Sequence, residues 1–394
     1  MATSLGIITI LGLTANYLME KVKIPGLLGM LLVGVLLGPG GFDFISPDLM
    51  RVSADFREIA LIIILLRAGL GLDWEVLKKV GRPALGLSFI PGVLEGLTVM
   101  VVSTVFFGFS MVQGGILGFI IAAVSPAVVV PAMLQLNDEG RGNDKNIPTL
   151  ILAGASLDDI VAITIFTSFL GLYGGENVSL AGQLMGIPIS IITGVGLGYL
   201  MGHVFVRIFE TQHIRDTKKV LMILGAAILL MGLEDLIRDT IAFSGFLGVM
   251  TIGFVILLKR GIVAKRLSVK FNKIWILAEI LLFVLVGAQV DLGVTLDAGG
   301  AGILIIAVGL LMRSLGVYIA LLGTDLNRKE KAFCAVAYTP KATVQAAIGA
   351  VPLAYGVQGG DLILSMAVLS IVVTAPLGAV GIRYMKRLLS ILKH

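Results

Sequence analysis

The 394-residue chain is short of charge, of histidine and of cysteine. Only 14% of its residues are charged, whereas 57% are hydrophobic, and the mean hydropathy is +1.02. One soluble core cannot bury so much apolar surface, so the composition excludes a soluble globular protein and indicates a polytopic membrane protein. The single cysteine, Cys334, excludes an intramolecular disulfide, and three scattered histidines lack the spacing of a metal site. No cofactor is expected.

The net charge of +5 is distributed in a way that argues against nucleic-acid binding. The basic residues form short clusters between apolar runs, which is typical of cytoplasmic loops. Most of them follow the odd-numbered runs or the last run, and only Arg51, Arg57 and Arg238 lie in the opposite set of loops. This asymmetry predicts an N-terminus outside the cell membrane and a C-terminus in the cytoplasm.

Thirteen apolar runs are bounded by charged residues, prolines or glycine clusters. Each has about 17 or more residues, the length that a transmembrane helix needs. They lie near residues 4–20, 25–42, 56–72, 84–108, 113–135, 147–173, 180–208, 219–235, 241–258, 272–290, 299–323, 331–354 and 361–388. The sequence therefore predicts an all-α polytopic membrane protein with 13 transmembrane helices.

The chain resembles itself at an offset of 214 to 219 residues. "GLLGMLLVGVLL" (26–37) matches "GFLGVMTIGFVI" (245–256), "GLGLD" (69–73) matches "GAQVD" (287–291), and "SPAVVV" (125–130) matches "TPKATV" (339–344). The matches relate runs 1–6 to runs 8–13, and an odd number of runs separates the equivalents. The sequence thus predicts two inverted six-helix repeats, an arrangement found in many secondary transporters.

Prolines interrupt two runs that the repeat makes equivalent. Pro126 and Pro131 lie inside the fifth run, and Pro340 lies inside the twelfth. Proline removes a backbone donor and clashes with the preceding turn, so both helices are expected to break there. Ser125, Thr339 and Thr343 are available to satisfy the backbone groups that a break leaves free.

Five charged residues lie deep inside the runs: Asp158, Asp159, Glu95, Arg313 and Lys341. An ion pair between Glu95 and Arg313 would reduce the desolvation cost of both. Adjacent aspartates on a helix point about 100° apart, so one can pair with Lys341 while the other faces water. A carboxylate that holds either a proton or a cation would couple two fluxes. The alternative is a structural pair of aspartates saturated by Lys341 and Arg313.

The segments "ASLDD" (155–159), "SPAVVVP" (125–131) and "YTPKATVQAA" (338–347) resemble the cation:proton antiporter superfamily, especially bacterial NHA-type sodium/proton antiporters. The resemblance extends over essentially the whole chain. It implies an NhaA-like antiporter fold with crossed broken helices, an elevator mechanism, a homodimer and location in the inner membrane. It also implies scaffold helices in residues 1–82 and 211–292, a moving core in 83–174 and 293–394, and a linker helix in 175–210.

The same resemblance implies roles for individual residues. Asp159 would be the main carrier of Na⁺ or Li⁺ and of the proton, with Asp158 beside it and paired with Lys341. Glu95 and Arg313 would form a supporting ion pair. The remaining site-lining residues would be Ser125, Pro126, Pro131, Thr339, Pro340 and Thr343.

Two departures from the family pattern bear on the substrate. The positions of the last run that the repeat places opposite the aspartates are apolar, near Val372 and Val373. The chain ends at His394, without the cytosolic domain of some potassium-efflux relatives, which favours Na⁺ or Li⁺ over K⁺. A K⁺/H⁺ antiporter and a sodium-coupled organic-anion symporter stay open as alternatives. An intramembrane aspartyl protease is disfavoured because its acids lie on separate helices.

Overall fold

The computed structural model describes residues 1–22, 24–71, 74–173, 180–237 and 243–389, and this part of the chain is helical, without a β-strand. The helices are α1 Ala2–Lys21, α2 Gly26–Leu37, α3 Pro47–Arg51, α4 Ser53–Gly71, α5 Trp74–Phe107, α6 Met111–Ala122, α7 Pro126–Asp138, α8 Ile147–Tyr173, α9 Leu180–Thr211, α10 Asp216–Ile237, α11 Gly245–Lys259, α12 Gly261–Ala288, α13 Leu292–Ala320, α14 Arg328–Ala337, α15 Thr343–Ile348, α16 Val351–Ala354 and α17 Gly360–Met385. Short 3₁₀ turns cover Asn143–Lys145 and Lys386–Leu388. Arg238, His394 and the predicted boundary at 174/175 lie outside the described residues.

The helices are apolar enough and long enough for a membrane protein. Seven of those described could cross a bilayer by length and composition: α1, α5 from Gly81 onward, α8, α9 from Ile191 onward, α12, α13 and the segment Gly360–Leu388. Shorter apolar helices, such as Gly26–Leu37 and Met111–Ala122, accompany them. The prediction of a helical membrane protein is therefore confirmed, and the number of crossings stays a prediction.

The fifth and twelfth predicted runs are interrupted, as the prolines suggested. α6 ends at Ala122 and α7 begins at Pro126, which leaves a first interruption at residues 123–125. α14 ends at Ala337 and α15 begins at Thr343, which leaves a second interruption at residues 338–342. The two interruptions meet, because the backbone N–H of Ser125 donates to the carbonyl of Pro340 at 2.8 Å.

One of the prolines does not break a helix. Pro131 lies inside α7, which continues to Asp138, and its side chain is exposed. Pro126 instead occupies the first position of α7, where a missing backbone N–H costs nothing because the helix has no partner for it there. The expectation that Pro131 interrupts the helix is therefore wrong, and its place in the lining of the site stays a prediction.

Glycines bring α5 close to its neighbours α6 and α13. A Cβ on Gly316 of α13 would lie 2.6 Å from the Cα of Pro91, and a Cβ on Gly118 of α6 would collide with the carbonyl of Gly96. These approaches leave no room for larger residues at Gly316 and Gly118. The close approach of α5 and α13 allows Glu95 of α5 to contact Arg313 of α13.

The described chain divides into two compact units. The first comprises Met1–Ala54, Asp73–Phe166 and Phe283–His394, and it contains both interruptions. The second comprises Asp55–Leu72 and Thr167–Leu282. In the second unit, Gly253 of α11 lies against the backbone of α4. A Cβ at this position would lie 3.0 Å from the carbonyl oxygen of Leu66.

Candidate functional site

Arg313 of α13 contacts both interrupted helices from a fully buried position. Its Nη1 donates to Glu95 Oε2 at 2.7 Å and to the carbonyl of Ala122 at the end of α6. Its Nη2 donates to Asp158 Oδ2 at 2.8 Å, and its Nε donates to the carbonyl of Tyr338 at 2.6 Å. One guanidinium therefore binds two carboxylates and the carbonyl ends of two half-helices, a geometry that suits its rigid fork of donors.

Lys341 is paired with an acid different from the one expected. Its Nζ donates to Glu95 Oε2 at 2.6 Å, and neither side chain is exposed. Asp158 Oδ2 is already occupied by Arg313 and by the backbone N–H of Val124. The expected Asp158–Lys341 pair is therefore wrong, because Asp158 turns toward the first interruption, whereas the expected Glu95–Arg313 pair is present.

The backbone of the second interruption has a partner in α17 that the sequence analysis missed. The N–H of Lys341 donates to Thr374 Oγ1 at 2.8 Å, and Thr374 is fully buried. Thr374 follows Asp158 by 216 residues, within the spread of the internal repeat. Thr374 therefore does for the second interruption what Asp158 does for the first, and it directly follows Val372 and Val373, the apolar positions that the repeat places near the aspartates.

Gln345 of α15 is a second polar residue whose role the sequence did not reveal. Its Oε1 accepts from the N–H of Ala342 at 2.8 Å. Its Nε2 donates to the carbonyl of Ala123 at 2.8 Å and to that of Ile120 at 3.0 Å. A lone uncharged polar residue just after a proline break was the available signal, and the side chain joins the two interruptions.

Thr339, by contrast, serves only its own helix. Its hydroxyl donates to the carbonyl of Val336 at 2.8 Å in the last turn of α14, where it satisfies a group that the break frees. Ser125 and Thr343 do not satisfy freed backbone groups, since their hydroxyls have no hydrogen-bond partner among the described residues. Pro340 packs against α17, where a Cβ on Gly378 would collide with its ring.

Several buried side-chain oxygens near the interruptions lack a hydrogen-bond partner within the described residues. They are Ser125 Oγ, Thr343 Oγ1, Asp158 Oδ1, Asp159 Oδ1, Glu95 Oε1 and Tyr338 Oη. Buried polar atoms are nearly always satisfied by protein, water or ion, so these oxygens are candidate ligands of water or of an ion. All of these atoms are oxygens, the ligand type that suits hard cations.

A family model described as "Sodium/hydrogen exchanger, transmembrane" matches residues 6–385. The chain belongs to this family of sodium/hydrogen exchangers. The resemblance to cation:proton antiporters predicted from the motifs is therefore confirmed.

Curated relatives agree with this membership, and a solved structure shows the fold. The chain is 35% identical over 390 residues to sodium/hydrogen exchanger 9B2 of Homo sapiens, and the match covers 94% of this chain and 71% of that protein. It is 34% identical over 374 residues to sodium/hydrogen exchanger 9B1 of Homo sapiens, covering 90% and 71%. The sodium proton antiporter MjNhaP1 of Methanocaldococcus jannaschii matches it with a TM-score of 0.83 over 97% of both chains at 23% identity, which shows the fold.

Around the two interruptions, the buried charges of the described residues balance except at one residue. Glu95 and Asp158 are paired with Arg313 and Lys341, and we call these four residues the buried quartet. With both acids ionised and both bases protonated the quartet is neutral. Asp159 takes part in no ion pair within the described part of the chain, and it is less buried than Asp158. The arrangement thus offers one uncompensated carboxylate to a monovalent cation or a proton.

Proposed function

We propose that this exchanger moves Na⁺ or Li⁺ against protons across the membrane, with Asp159 as the carboxylate that holds each in turn. The observation that carries the proposal is the lack of an ion-pair partner for Asp159 beside a neutral buried quartet. A buried carboxylate without a base is stable only when it binds a proton or a cation. Because one group serves both, the two cannot be bound together.

The pairing in the quartet also bears on stoichiometry. Lys341 is held by Glu95, so it has no need to lose its proton when the cation binds Asp159. Each turnover then moves one cation in one direction and one proton in the other. We propose that Ser125 and Thr343 supply further oxygen ligands to the cation, since their hydroxyls are buried and without a hydrogen-bond partner in the described residues.

The transport cycle follows an elevator motion. In this proposal residues 83–174 and 293–394 move as a core against scaffold helices in 1–82 and 211–292, with 175–210 as the linker. The chain crosses the inner membrane 13 times as two inverted repeats, its N-terminus outside and its C-terminus in the cytoplasm, and it acts as a homodimer. Support comes from the internal repeat, the distribution of Lys and Arg, and the fold shared with MjNhaP1.

The same geometry argues against the organic-anion symporter. An organic anion would need a free base, yet Arg313 and Lys341 are both engaged by acids. Potassium differs from sodium mainly in size, so K⁺ is included in the test as a competing substrate.

The decisive experiment compares wild type with Asp159→Asn in proteoliposomes that carry an imposed pH gradient. Internal pH is followed after addition of Na⁺, Li⁺ or K⁺, and Asp297→Asn at an exposed position serves as the matched control. We expect cation-dependent proton movement in wild type and control, with Na⁺ or Li⁺ preferred, and none in Asp159→Asn. Undiminished exchange in Asp159→Asn would refute the shared carboxylate, and a response to K⁺ alone would establish the potassium alternative.

A further inference from the structure

Gln345 fills the carbonyl end of α6 with its side-chain amide. The residue is fully buried, and its Nε2 lies 3.0, 3.3 and 2.8 Å from the carbonyl oxygens of Ile120, Ile121 and Ala123. Its Oε1 meanwhile accepts from the N–H of Ala342. The two N–H groups of one neutral amide are therefore shared among three carbonyls at the end of α6.

Arg313 completes the occupation of this helix end. Its Nη1 donates to the carbonyl of Ala122, so all four carbonyls from residue 120 to residue 123 accept from a buried side chain. The C-terminal carbonyls of a helix carry partial negative charge. In secondary transporters with broken helices such carbonyls commonly coordinate the transported cation. In this chain they are already taken.

The backbone N–H groups of the interruptions are occupied as well. Val124 donates to Asp158, Ser125 to Pro340, Lys341 to Thr374 and Ala342 to Gln345. Among the side chains of the described residues, several buried oxygens near the interruptions have no hydrogen-bond partner. A cation that enters the site therefore meets these side-chain oxygens, and at the carbonyl end of α6 it competes with protein donors that already neutralise part of the carbonyl charge.

We infer that Gln345 sets the cation affinity of the exchanger by keeping the transported ion away from the carbonyl end of α6. The inference rests on the proposed function. Gln345 acts as a positioning residue, since its amide donates hydrogen bonds to the carbonyls and the ion is then bound mainly by the carboxylate of Asp159. With the amide in place the ion is bound weakly enough to leave; without it, the freed carbonyls bind the ion more tightly and slow its release.

The test replaces Gln345 with two residues of similar length that lack its donor. Gln345→Met leaves the carbonyls free, and Gln345→Glu keeps an acceptor for the N–H of Ala342 while adding a charged oxygen. KM for Na⁺ and maximal rate are measured in proteoliposomes, and thermal stabilisation by Na⁺ is measured on purified protein. Ser370→Ala is the matched control, because it removes a buried hydrogen bond within α17 and leaves the donors to the carbonyls of residues 120–123 in place.

We expect KM for Na⁺ to fall by about tenfold in Gln345→Met, the effect of roughly one added contact to a charge, and further in Gln345→Glu. The maximal rate falls in both, Na⁺ stabilises both more than wild type, and Ser370→Ala keeps the KM of wild type. An unchanged or raised KM, or failure of both variants to fold, would overturn the inference and leave Gln345 a structural residue. Absence of Na⁺-dependent transport in wild type would instead refute the proposed function.

Discussion

The first interrupted helix satisfies its free backbone N–H with a carboxylate, whereas the second uses a hydroxyl. Val124 donates to Asp158 in the first, and Lys341 donates to Thr374 in the second, from residues that the internal repeat places at equivalent positions. Each side chain accepts a hydrogen bond from a backbone N–H that the interruption leaves free. Only the carboxylate brings a charge, so only the first interruption requires a base nearby.

The charges of the two halves are complementary. Glu95, Asp158 and Asp159 come from the N-terminal half of the chain, and Arg313 and Lys341 come from the C-terminal half. Each base is paired with acids of the opposite half, and three acids face two bases. The surplus acid is Asp159, the carboxylate on which the proposed exchange of cation and proton depends.

Removal of Arg313 should have the largest effect, because this side chain contacts both interruptions. Arg313→Gln leaves Asp158 without a base and weakens the hold on the carbonyls of Ala122 and Tyr338. Breaking a buried pair in this way costs about 3–5 kcal/mol of unfolding free energy. We expect a large drop in thermal stability and loss of exchange.

The matched variant is Lys341→Gln, in which Glu95 keeps Arg313 as its partner. It should destabilise the protein less than Arg313→Gln and leave a folded protein. Equal losses of stability in the two variants would show that Arg313 contributes no more to stability than Lys341 does.

The sequence revealed the components of this site better than their pairing. Buried charges and prolines are conspicuous in apolar runs, so Glu95, Asp158, Arg313 and Lys341 were identified from the sequence. Which acid meets which base depends on the rotation of each helix about its axis. A turn of about 100° separates adjacent residues, and a spacing argument does not fix that rotation. Hence Asp158 was assigned to the wrong base.

Uncharged polar residues left a weaker signal. Gln345 and Thr374 carry no charge, so they stand out less in an apolar run than the acids and bases do. Placing the repeats in register could have found Thr374, which lies 216 residues after Asp158. Gln345 has no such counterpart, and its reach to the carbonyls of α6 exists only in three dimensions. Pro131 shows a further limit, because it lies inside a continuous helix although an internal proline predicts a break.

A second pair of variants sharpens the contrast between carboxylate and hydroxyl. Asp158→Asn removes one negative charge from the quartet, and the resulting positive charge repels a cation at the neighbouring Asp159. We expect KM for Na⁺ to rise by roughly tenfold or more, as an added unit charge at short range implies. Thr374→Val deletes a hydrogen bond without changing the charge, so its cost should appear in stability, at about 1–3 kcal/mol. Similar KM values in both variants would refute the role of charge.

Two ion pairs nearer the surface can be compared in the same way, one at the C-terminal end of α7 and one at the N-terminal end of α14. Glu139, just after α7, pairs with Lys386, and their side chains are 30% and 28% exposed. Glu330 in the first turn of α14 is only 4% exposed; it binds Lys145 at 2.8 Å and accepts from the N–H of Asn327. The hydrogen bond from Lys386 lowers the pKa of Glu139, and the hydrogen bond to Glu330 raises the pKa of Lys145.

These pKa shifts predict that the two surface ion pairs lose their contribution to stability at opposite ends of the pH range. The stabilisation from Glu139 is present above its unfolded pKa and is lost as pH falls through its lowered pKa. That from Lys145 is present below its unfolded pKa and is lost as pH rises through its raised pKa. Glu139→Gln should cost about 0–1 kcal/mol at neutral pH and nothing in acid, because the pair is largely solvated. Glu330→Gln should cost more, since its carboxylate is buried and also caps α14. Thermal unfolding of both variants from acid to alkaline pH checks this order, and a larger loss in Glu139→Gln would reverse it.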